Sequence, residues 1–202
     1  MSITRIRVSG SPRERSEQYG RQAREQMHLI RDGYERAFAA KGTAWDAARS
    51  HARQYLPAFE AHAPGLLEEL EGIAAGSGLS FDDVLTINCR SEILYAATVS
   101  RHAAIADAGE VLRAGARGEC SALALEADRS PTGAALVAQN WDWLEVLGPG
   151  VVLLEVERDD GPNYVTLVEA GLLAKVTMNA HGLAIGITTL ASTLDGGIGG
   201  LP

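Results

Sequence analysis

The chain has 202 residues, 46% of them hydrophobic, and carries a formal charge of −8 at pH 7. A chain of this length and composition can bury a sizeable hydrophobic core without help from disulfides or metals. Nucleic-acid binding needs clustered Lys and Arg to neutralise phosphates, so the acidic balance excludes nucleic acid as an expected partner.

The two cysteines, Cys89 and Cys120, lie in segments of different character and do not make the disulfide framework of a small secreted domain. The N-terminal stretch MSITRIRVSGSPRERSEQYG lacks the apolar region of a signal peptide, and no apolar run reaches the length of a membrane span. We therefore expect a cytoplasmic protein with no membrane partner.

The histidines of the chain show no pair four residues apart and no Cys or carboxylate at the spacing of metal ligands. The stretch GGIGG is rich in glycine but lacks the Lys and the Ser or Thr of a phosphate-binding loop. The sequence therefore predicts neither a metal nor another cofactor.

Four helices in series are predicted before Cys120. The first begins at the N-cap Ser11, which has Glu14 three residues later, and continues to Gly42. The second begins at Thr43 and breaks near Pro57.

The third and fourth helices occupy APGLLEELEGIAAGSG and SFDDVLTINCRSEILYAA, and the N-cap Ser80 of the fourth is followed by Asp83 at the third position. Asn88 and Glu92 share a face of this fourth helix, where we expect a structural contact with the second part of the chain. Cys89 is expected to be a core residue.

Charge and periodicity both change at Cys120. Residues 1–119 carry 15 Lys and Arg against 16 Asp and Glu, whereas residues 120–202 carry 3 against 10. Short apolar runs bounded by Gly, Pro, Asp or Asn follow from this point, with turn-like connections that favour antiparallel hairpins. Their apolar interiors predict a sheet covered on both faces, in an α+β protein. The six predicted strands are CSALALEA, GAALVAQNW, GVVLLEVE, NYVTLVEA, LLAKVTMN and GLAIGITTL.

The sequence ends in ASTLDGGIGGLP, a glycine-rich loop directly after a strand. This leaves the predicted strands with only the upstream helices to cover them. We therefore expect that the chain is truncated, and that a missing C-terminal segment or a second chain completes the fold. A homo-oligomer is a further alternative.

Several motifs occur in an order and at a spacing that resemble one family of enzymes. They are PGLLEELEGIAAGSGLSFDDVLTINCRSEI, GECSALAL, VAQNWDW and MNAHGLAIGITTL. Together they resemble the isopenicillin N acyltransferase family, which consists of autoproteolytic N-terminal-nucleophile hydrolases related to the choloylglycine hydrolases. The resemblance covers most of residues 60–202. It implies a four-layer αββα fold and a small-molecule or peptide-like amide, or an acyl donor, as substrate.

The resemblance also implies an inactive precursor that cuts itself before a cysteine, here between Glu119 and Cys120. Residues 1–119 would then be the helical pro-segment, or α subunit, and residues 120–202 the N-terminal part of the catalytic β domain. A thiol with a pKa near 8.5 needs a base, and the cut frees an α-amine with a pKa of about 7.7 to 8.0. Cys120 would attack first the carbonyl of Glu119 and then a substrate amide, each time through a thioester.

The carboxylate of Asp142 in QNWDW is implied by the resemblance to support the α-amine of Cys120. Two hairpin registers are open. A turn from Arg129 to Gly133 places Cys120 opposite Asp142 on one face, whereas a turn one residue longer pairs Cys120 with Trp141 and points Asp142 away. The resemblance favours the arrangement with Asp142 near the amine.

Further site residues follow from the resemblance. Ser121 and Asn140 would support the site, although Asn140 could equally satisfy a strand end. Thr189 stands where choloylglycine hydrolases have an oxyanion-hole asparagine, and it offers a backbone N–H or a hydroxyl. Gln139 stands where those enzymes have an arginine, so bile-salt or penicillin V specificity is not expected.

Trp141 and Trp143 share a strand face by alternation, opposite to that of Asp142. Core packing is the favoured interpretation, and binding of an apolar acyl group is the other. The main hypothesis is thus an amide hydrolase or acyltransferase with a cysteine nucleophile. The alternative is an uncleaved, non-catalytic relative that serves as a binding or interaction protein.

Overall fold

A computed structural model describes residues 3–103, 120–188, 198 and 200–202 of the chain. Within them one strand is followed by a helical stretch and then by further strands. This order confirms the mixed α+β class. The strands are β1 (Thr4–Gly10), β2 (Cys120–Leu125), β3 (Leu136–Trp141), β4 (Val151–Arg158), β5 (Tyr164–Glu169), β6 (Val176–Asn179) and β7 (Ala184–Ile185). The helices are α1 (Pro12–Gln22), α2 (Arg24–Ala40), α3 (Trp45–Ala52), α4 (Leu56–His62), α5 (Pro64–Ser77), α6 (Phe81–Asn88) and α7 (Arg90–Ala103).

Two predicted capping boxes are present. Ser11 accepts a hydrogen bond from the backbone N–H of Glu14, whose carboxylate accepts in return from the backbone of Ser11. Ser80 and Asp83 do the same at the start of α6. Each box satisfies N–H groups that a helix start leaves without an intrahelical partner, so a local sequence signal is enough to set the boundary.

The predicted helix lengths were wrong at three places. The first predicted helix is divided at Ala23 into α1 and α2, and the fourth is divided at Cys89 into α6 and α7. The second begins after the N-cap Ala44 rather than Thr43. The predicted break near Pro57 is confirmed, because α3 ends at Ala52 and Pro57 lies in the first turn of α4.

Strand β1 was missed by the helical interpretation of the first part of the chain. It joins a five-stranded sheet of order β1–β4–β5–β6–β7, where it pairs in parallel with β4. The other pairs in this sheet are antiparallel, as the short connections predicted. Ile6 and Val8 alternate with Arg5 and Arg7, so β1 carries the two-residue period of a half-buried strand.

The helices pack on one face of this sheet. Ile6, Val152, Leu154 and Val168 are each at most 2% exposed and share one hydrophobic cluster with the buried side of the helices. On the other face Arg7 pairs with Glu155 at 2.9 Å. The prediction of a sheet covered on both faces is therefore wrong for the described part of the chain, because the second face is left partly open to solvent.

Close approach of the backbones holds α1 against α5. A Cβ atom added to Gly76 would lie 2.2 Å from the carbonyl oxygen of Glu17, and one added to Gly20 would lie 2.5 Å from that of Ile73. Only glycine allows such contacts between two helices. The helical layer is therefore tightly interlocked at this point.

Strands β2 and β3 form a separate antiparallel pair with Cys120 opposite Trp141. Most of its side chains are exposed, and Leu123 reaches 64%. The second of the two registers considered above is thus the one observed. Among the described residues, no helix is long and apolar enough to cross a membrane.

Candidate active site

The connection from β5 to β6 is fixed by side chains of the helical layer. Asn88 donates to the carbonyl oxygen of Gly171 at 2.8 Å and accepts from the backbone N–H of Leu173 at 3.1 Å. Gly171 has a φ of +99°, a left-handed conformation that favours glycine, and its N–H donates to the Tyr19 hydroxyl at 3.0 Å. The expected structural contact of Asn88 is confirmed, and it lies in the same connection as Lys175, which directly precedes β6.

Glu169, the last residue of β5, has a completely buried side chain. One of its carboxylate oxygens lies 3.1 Å from Nη2 of Arg90 and 3.5 Å from Nζ of Lys175. The other oxygen accepts a hydrogen bond from the hydroxyl of Tyr34. A buried carboxylate needs such partners, because its desolvation would otherwise be costly.

This buried cluster reaches the β2–β3 hairpin through two tryptophans. The indole Nε1–H of Trp143 donates to the hydroxyl of Tyr34 at 2.8 Å. Nζ of Lys175 lies 3.6 Å from the ring centre of Trp141 and 5.3 Å from that of Trp143. Both distances are within the range of a cation–π interaction.

Burial sets the protonation of the cluster. Desolvation is the main cause that raises the pKa of Tyr34 well above its usual value, so this hydroxyl is neutral and donates to Glu169. Desolvation also lowers the pKa of Lys175 to about 8, with Arg90 acting in the same direction and Glu169 against it. Burial disfavours the charge of Arg90 as well, but its acidic neighbours outweigh this and raise its pKa.

A cavity of about 380 Å³ opens between the hairpin and this cluster. Cys120, Trp141, Trp143, Lys175 and Arg90 all contribute to its wall. The wall is otherwise mixed in polarity, and its remaining residues are Phe59, Leu66, Asn88, Ser91, Glu92, Leu172, Leu173, Ala174, Ile187, Leu201 and Pro202.

The register explains which predicted site residues meet. Directly opposed residues of an antiparallel pair point to the same face, so Cys120 and Trp141 lie on one side of the hairpin. Trp141 and Trp143 line the cavity with Cys120, which is the arrangement that the second of the two registers implies. Neither of them is completely buried.

Asp142 follows the end of β3 and is exposed. It accepts a hydrogen bond from Nδ2 of Asn140 at 2.9 Å, and it is not among the described residues that line the cavity. Ser121 pairs with Asn140 and is likewise exposed. Glu119 and Thr189 lie outside the described residues.

Gln139 connects the hairpin to the larger sheet. Its amide nitrogen donates to the carbonyl oxygen of Ile187 at 2.5 Å, and its amide oxygen accepts from the backbone N–H of the same residue at 2.7 Å. These two hydrogen bonds link β3 to the segment after β7. Gln139 thus has a structural contact at the position where the resemblance would place an arginine.

The other cysteine differs sharply from Cys120. Cys89 is completely buried, and desolvation raises the pKa of its thiol well above the usual value. This confirms the prediction of a core cysteine. Within residues 3–103, 120–188, 198 and 200–202, no group of three or more His, Cys, Asp or Glu is placed to hold a metal ion.

No protein-family model matches the chain. It is similar to the 40 kDa form of acyl-coenzyme A:6-aminopenicillanic-acid-acyltransferase from Emericella nidulans, with 26% identity over 127 residues. The similarity covers 63% of this chain and 30% of the fungal protein. The chain therefore matches less than a third of that relative's length. The similarity supports, only at the coarsest level, the family that the motifs resemble.

Sequence reasoning missed most of the charged cluster. Tyr34 lies in α2, Glu169 ends β5 and Lys175 lies in the connection before β6, and no motif joins them along the chain. One signal was present, because Glu169 and Lys175 each interrupt an otherwise apolar run in NYVTLVEA and LLAKVTMN. A charge inside a buried strand indicates a charged partner, although it does not identify that partner.

The arrangement supplies three chemical elements at one cavity. Cys120 supplies a thiol, Lys175 supplies an amine that can hold or release a proton near neutral pH, and the tryptophan rings offer an apolar surface. These elements suit acyl transfer through a thioester.

Proposed function

We propose that the protein is an acyltransferase-type enzyme that forms a thioester on Cys120. The observation that carries the proposal is that Cys120, the first residue of β2, lines a cavity of about 380 Å³ with Trp141, Trp143 and Lys175. The similarity to a fungal acyltransferase supports the same class of reaction. A buried, inert thiol such as that of Cys89 offers no such access.

The proposal includes activation by self-cleavage between Glu119 and Cys120. The thiolate attacks the carbonyl carbon of Glu119, the C–N bond to Cys120 breaks, and water then hydrolyses the thioester. The freed α-amine, with a typical pKa of about 7.7 to 8.0, becomes the base for the next reaction. Residues 1–119 would be the α subunit and residues 120–202 the beginning of the β subunit.

Asp142 is proposed as the carboxylate that supports this amine. It follows the last residue of β3, at the same end of the hairpin as Cys120. Asn140 holds its carboxylate at 2.9 Å and so has an orienting role in the proposal. Ser121 and Thr189 are proposed as further polar support, with Thr189 as an oxyanion donor.

The substrate in this proposal is a small amide or acyl donor with an apolar acyl group. Trp141 and Trp143 present aromatic surface to the cavity beside the nucleophile, and large aromatic faces stabilise bound apolar groups. Hydrolysis results when water reaches the thioester, and acyl transfer results when an amine does. The remainder of an αββα catalytic domain would complete the binding site.

The proposal is tested by the mass and the new N-terminus of the purified full-length protein. We expect denaturing mass spectrometry to find two fragments. N-terminal sequencing of the C-terminal fragment is expected to begin at Cys120. Cys120→Ala is expected to remain in one piece, whereas Cys89→Ala, as the matched control, is expected to cut normally.

A wild-type chain that stays intact after prolonged incubation at pH 8 contradicts self-cleavage. If Cys120 in that chain also reacts with iodoacetamide no faster than Cys89, the thiol is not activated, and the non-catalytic binding protein becomes the better interpretation.

A further inference from the structure

The proposed self-cleavage leaves one chemical requirement open. Before the cut, the nitrogen of Cys120 belongs to a peptide bond and cannot accept a proton. A thiol with a reference pKa near 8.5 is mostly protonated at neutral pH and is then a poor nucleophile. The uncut chain therefore needs a base other than the α-amine.

The residues around the cavity offer one amine in the right place. Lys175 shares the cavity wall with Cys120, and its Nζ lies 3.6 Å from the ring centre of Trp141, the residue paired with Cys120 across the hairpin. On its other side, Nζ is 3.5 Å from the buried carboxylate of Glu169. Its side chain is only 11% exposed, so these contacts fix its position.

The charges that face Lys175 make it able to exchange a proton. Glu169 also forms an ion pair with Arg90, which stays charged at all relevant pH values. The carboxylate of Glu169 accepts a further hydrogen bond from neutral Tyr34. Glu92 also lines the cavity. An ordinary lysine, with a pKa near 10.4, would remain protonated, whereas burial beside Arg90 lowers the pKa of this one to about 8.

We propose that Lys175 is the base that activates Cys120 in the uncut chain. Neutral Nζ takes the thiol proton, which leaves a thiolate beside an ammonium. When the sulfur attacks the preceding carbonyl carbon and the C–N bond breaks, the ammonium returns the proton to the departing α-amine. Lys175 is then neutral again, and the α-amine can serve as the base for later turnovers.

The acyl-transfer step rests on the proposed function, but the activation of the thiol can be measured without it. The test is pulse alkylation with iodoacetamide from pH 6 to 9.5, followed by trypsin digestion. Cleavage after Arg117 and Arg129 gives a peptide of residues 118–129 from uncut chains and one of residues 120–129 from self-cleaved chains. The masses therefore report cleavage and Cys120 reactivity separately, in each population.

Lys175→Met removes both the base and the charge, and Lys175→Arg keeps the charge but cannot release a proton. Lys41→Met replaces an exposed lysine and is the matched control. In Lys175→Met we expect self-cleavage and alkylation of uncut Cys120 to slow at least about tenfold at pH 7.5, because general-base catalysis is lost. In Lys175→Arg we expect alkylation within about threefold of wild type but cleavage still slowed at least about tenfold.

Wild-type cleavage is expected to rise with pH and level off near 8, where Lys175 loses its proton, and Lys175→Arg is expected to lose this inflection. Cleavage of Lys175→Arg at the wild-type rate would overturn the role as a base. If Cys120 in uncut Lys175→Met is alkylated at the wild-type rate, the role of Lys175 as a base is overturned too, even if no variant cleaves itself. Faster alkylation of Cys89 marks an unfolded variant, in which case the Lys175→Arg comparison decides.

Discussion

The five-stranded sheet with its helices and the β2–β3 hairpin use similar apolar residues in opposite surroundings. Leu154 in β4 is 2% exposed, whereas Leu123 in β2 is 64% exposed. The charged side chains of the larger sheet include the fully buried Glu169, and the hairpin has no charged residue buried in its described part. The region that holds the fold together is therefore not the region that carries Cys120.

This difference indicates how the candidate site is assembled. The core supplies the ionisable side chains Glu169 and Lys175, while the hairpin and the residues directly after it supply the sulfur and the aromatic rings. Specific contacts join the two, namely the hydrogen bonds of Gln139, the indole bond of Trp143 and the ring of Trp141. Core substitutions should thus change stability most, and hairpin substitutions should change chemistry most.

Glu169→Gln is expected to cause the largest loss of stability. The change leaves Arg90, with a side chain 10% exposed, without its carboxylate partner. Removing one partner of a buried ion pair costs about 3 to 5 kcal/mol in the free energy of unfolding. Urea denaturation of the purified variant measures the loss.

The same substitution at Glu157, an exposed residue of β4, is the matched control and should cost less than about 0.5 kcal/mol. Equal effects at both positions would show that the buried cluster does not stabilise the core.

Gly76→Ala is expected to have the next largest effect. Its added methyl group would lie 2.2 Å from a backbone oxygen of α1, which cannot move as a flexible side chain could. Forcing α1 and α5 apart should cost about 2 to 3 kcal/mol, measured by the same denaturation.

Gly65→Ala lies in the same helix and has nothing within 4 Å of the added atom. It should be neutral or should stabilise the protein by up to about 1 kcal/mol. A neutral Gly76→Ala would rule out the close helix contact.

Leu123→Ala is expected to have the smallest effect. Truncation of a side chain that is 64% exposed removes little buried surface. The free energy of unfolding should therefore change by no more than about 0.5 kcal/mol. Leu154→Ala makes the identical change in the core and should cost about 2 to 5 kcal/mol. If thermal and urea denaturation give similar losses for the two variants, the hairpin belongs to the same packed core as the larger sheet.

Short-range signals were the part of the fold that the sequence could predict. The pairs Ser11 with Glu14 and Ser80 with Asp83 lie three residues apart, so their hydrogen bonds depend only on local geometry. The strands after Cys120 were found for a similar reason, since hairpins between neighbouring strands need only short turns.

Long-range pairings were not predictable from these patterns. Strand β1 meets β4 from the opposite end of the chain, and the alternation in RIRV was too short to outweigh the helical signals after it. The hairpin register depended on one residue of turn length, and the pairing of Cys120 with Trp141 changed which side chains meet. Glu169 and Tyr34 were missed because their contact joins a strand to a distant helix.

The parallel pairing of β1 with β4 has a consequence for the proposed cut before Cys120. Strand β1 lies upstream of that position and β4 lies downstream of it, and seven residue pairs match from Thr4 with Val152 to Gly10 with Arg158. Hydrolysis of one peptide bond would break neither this ladder nor the hydrophobic cluster that both parts share. The products would therefore remain together as a non-covalent heterodimer, whose two polypeptides separate only when the common sheet is unfolded.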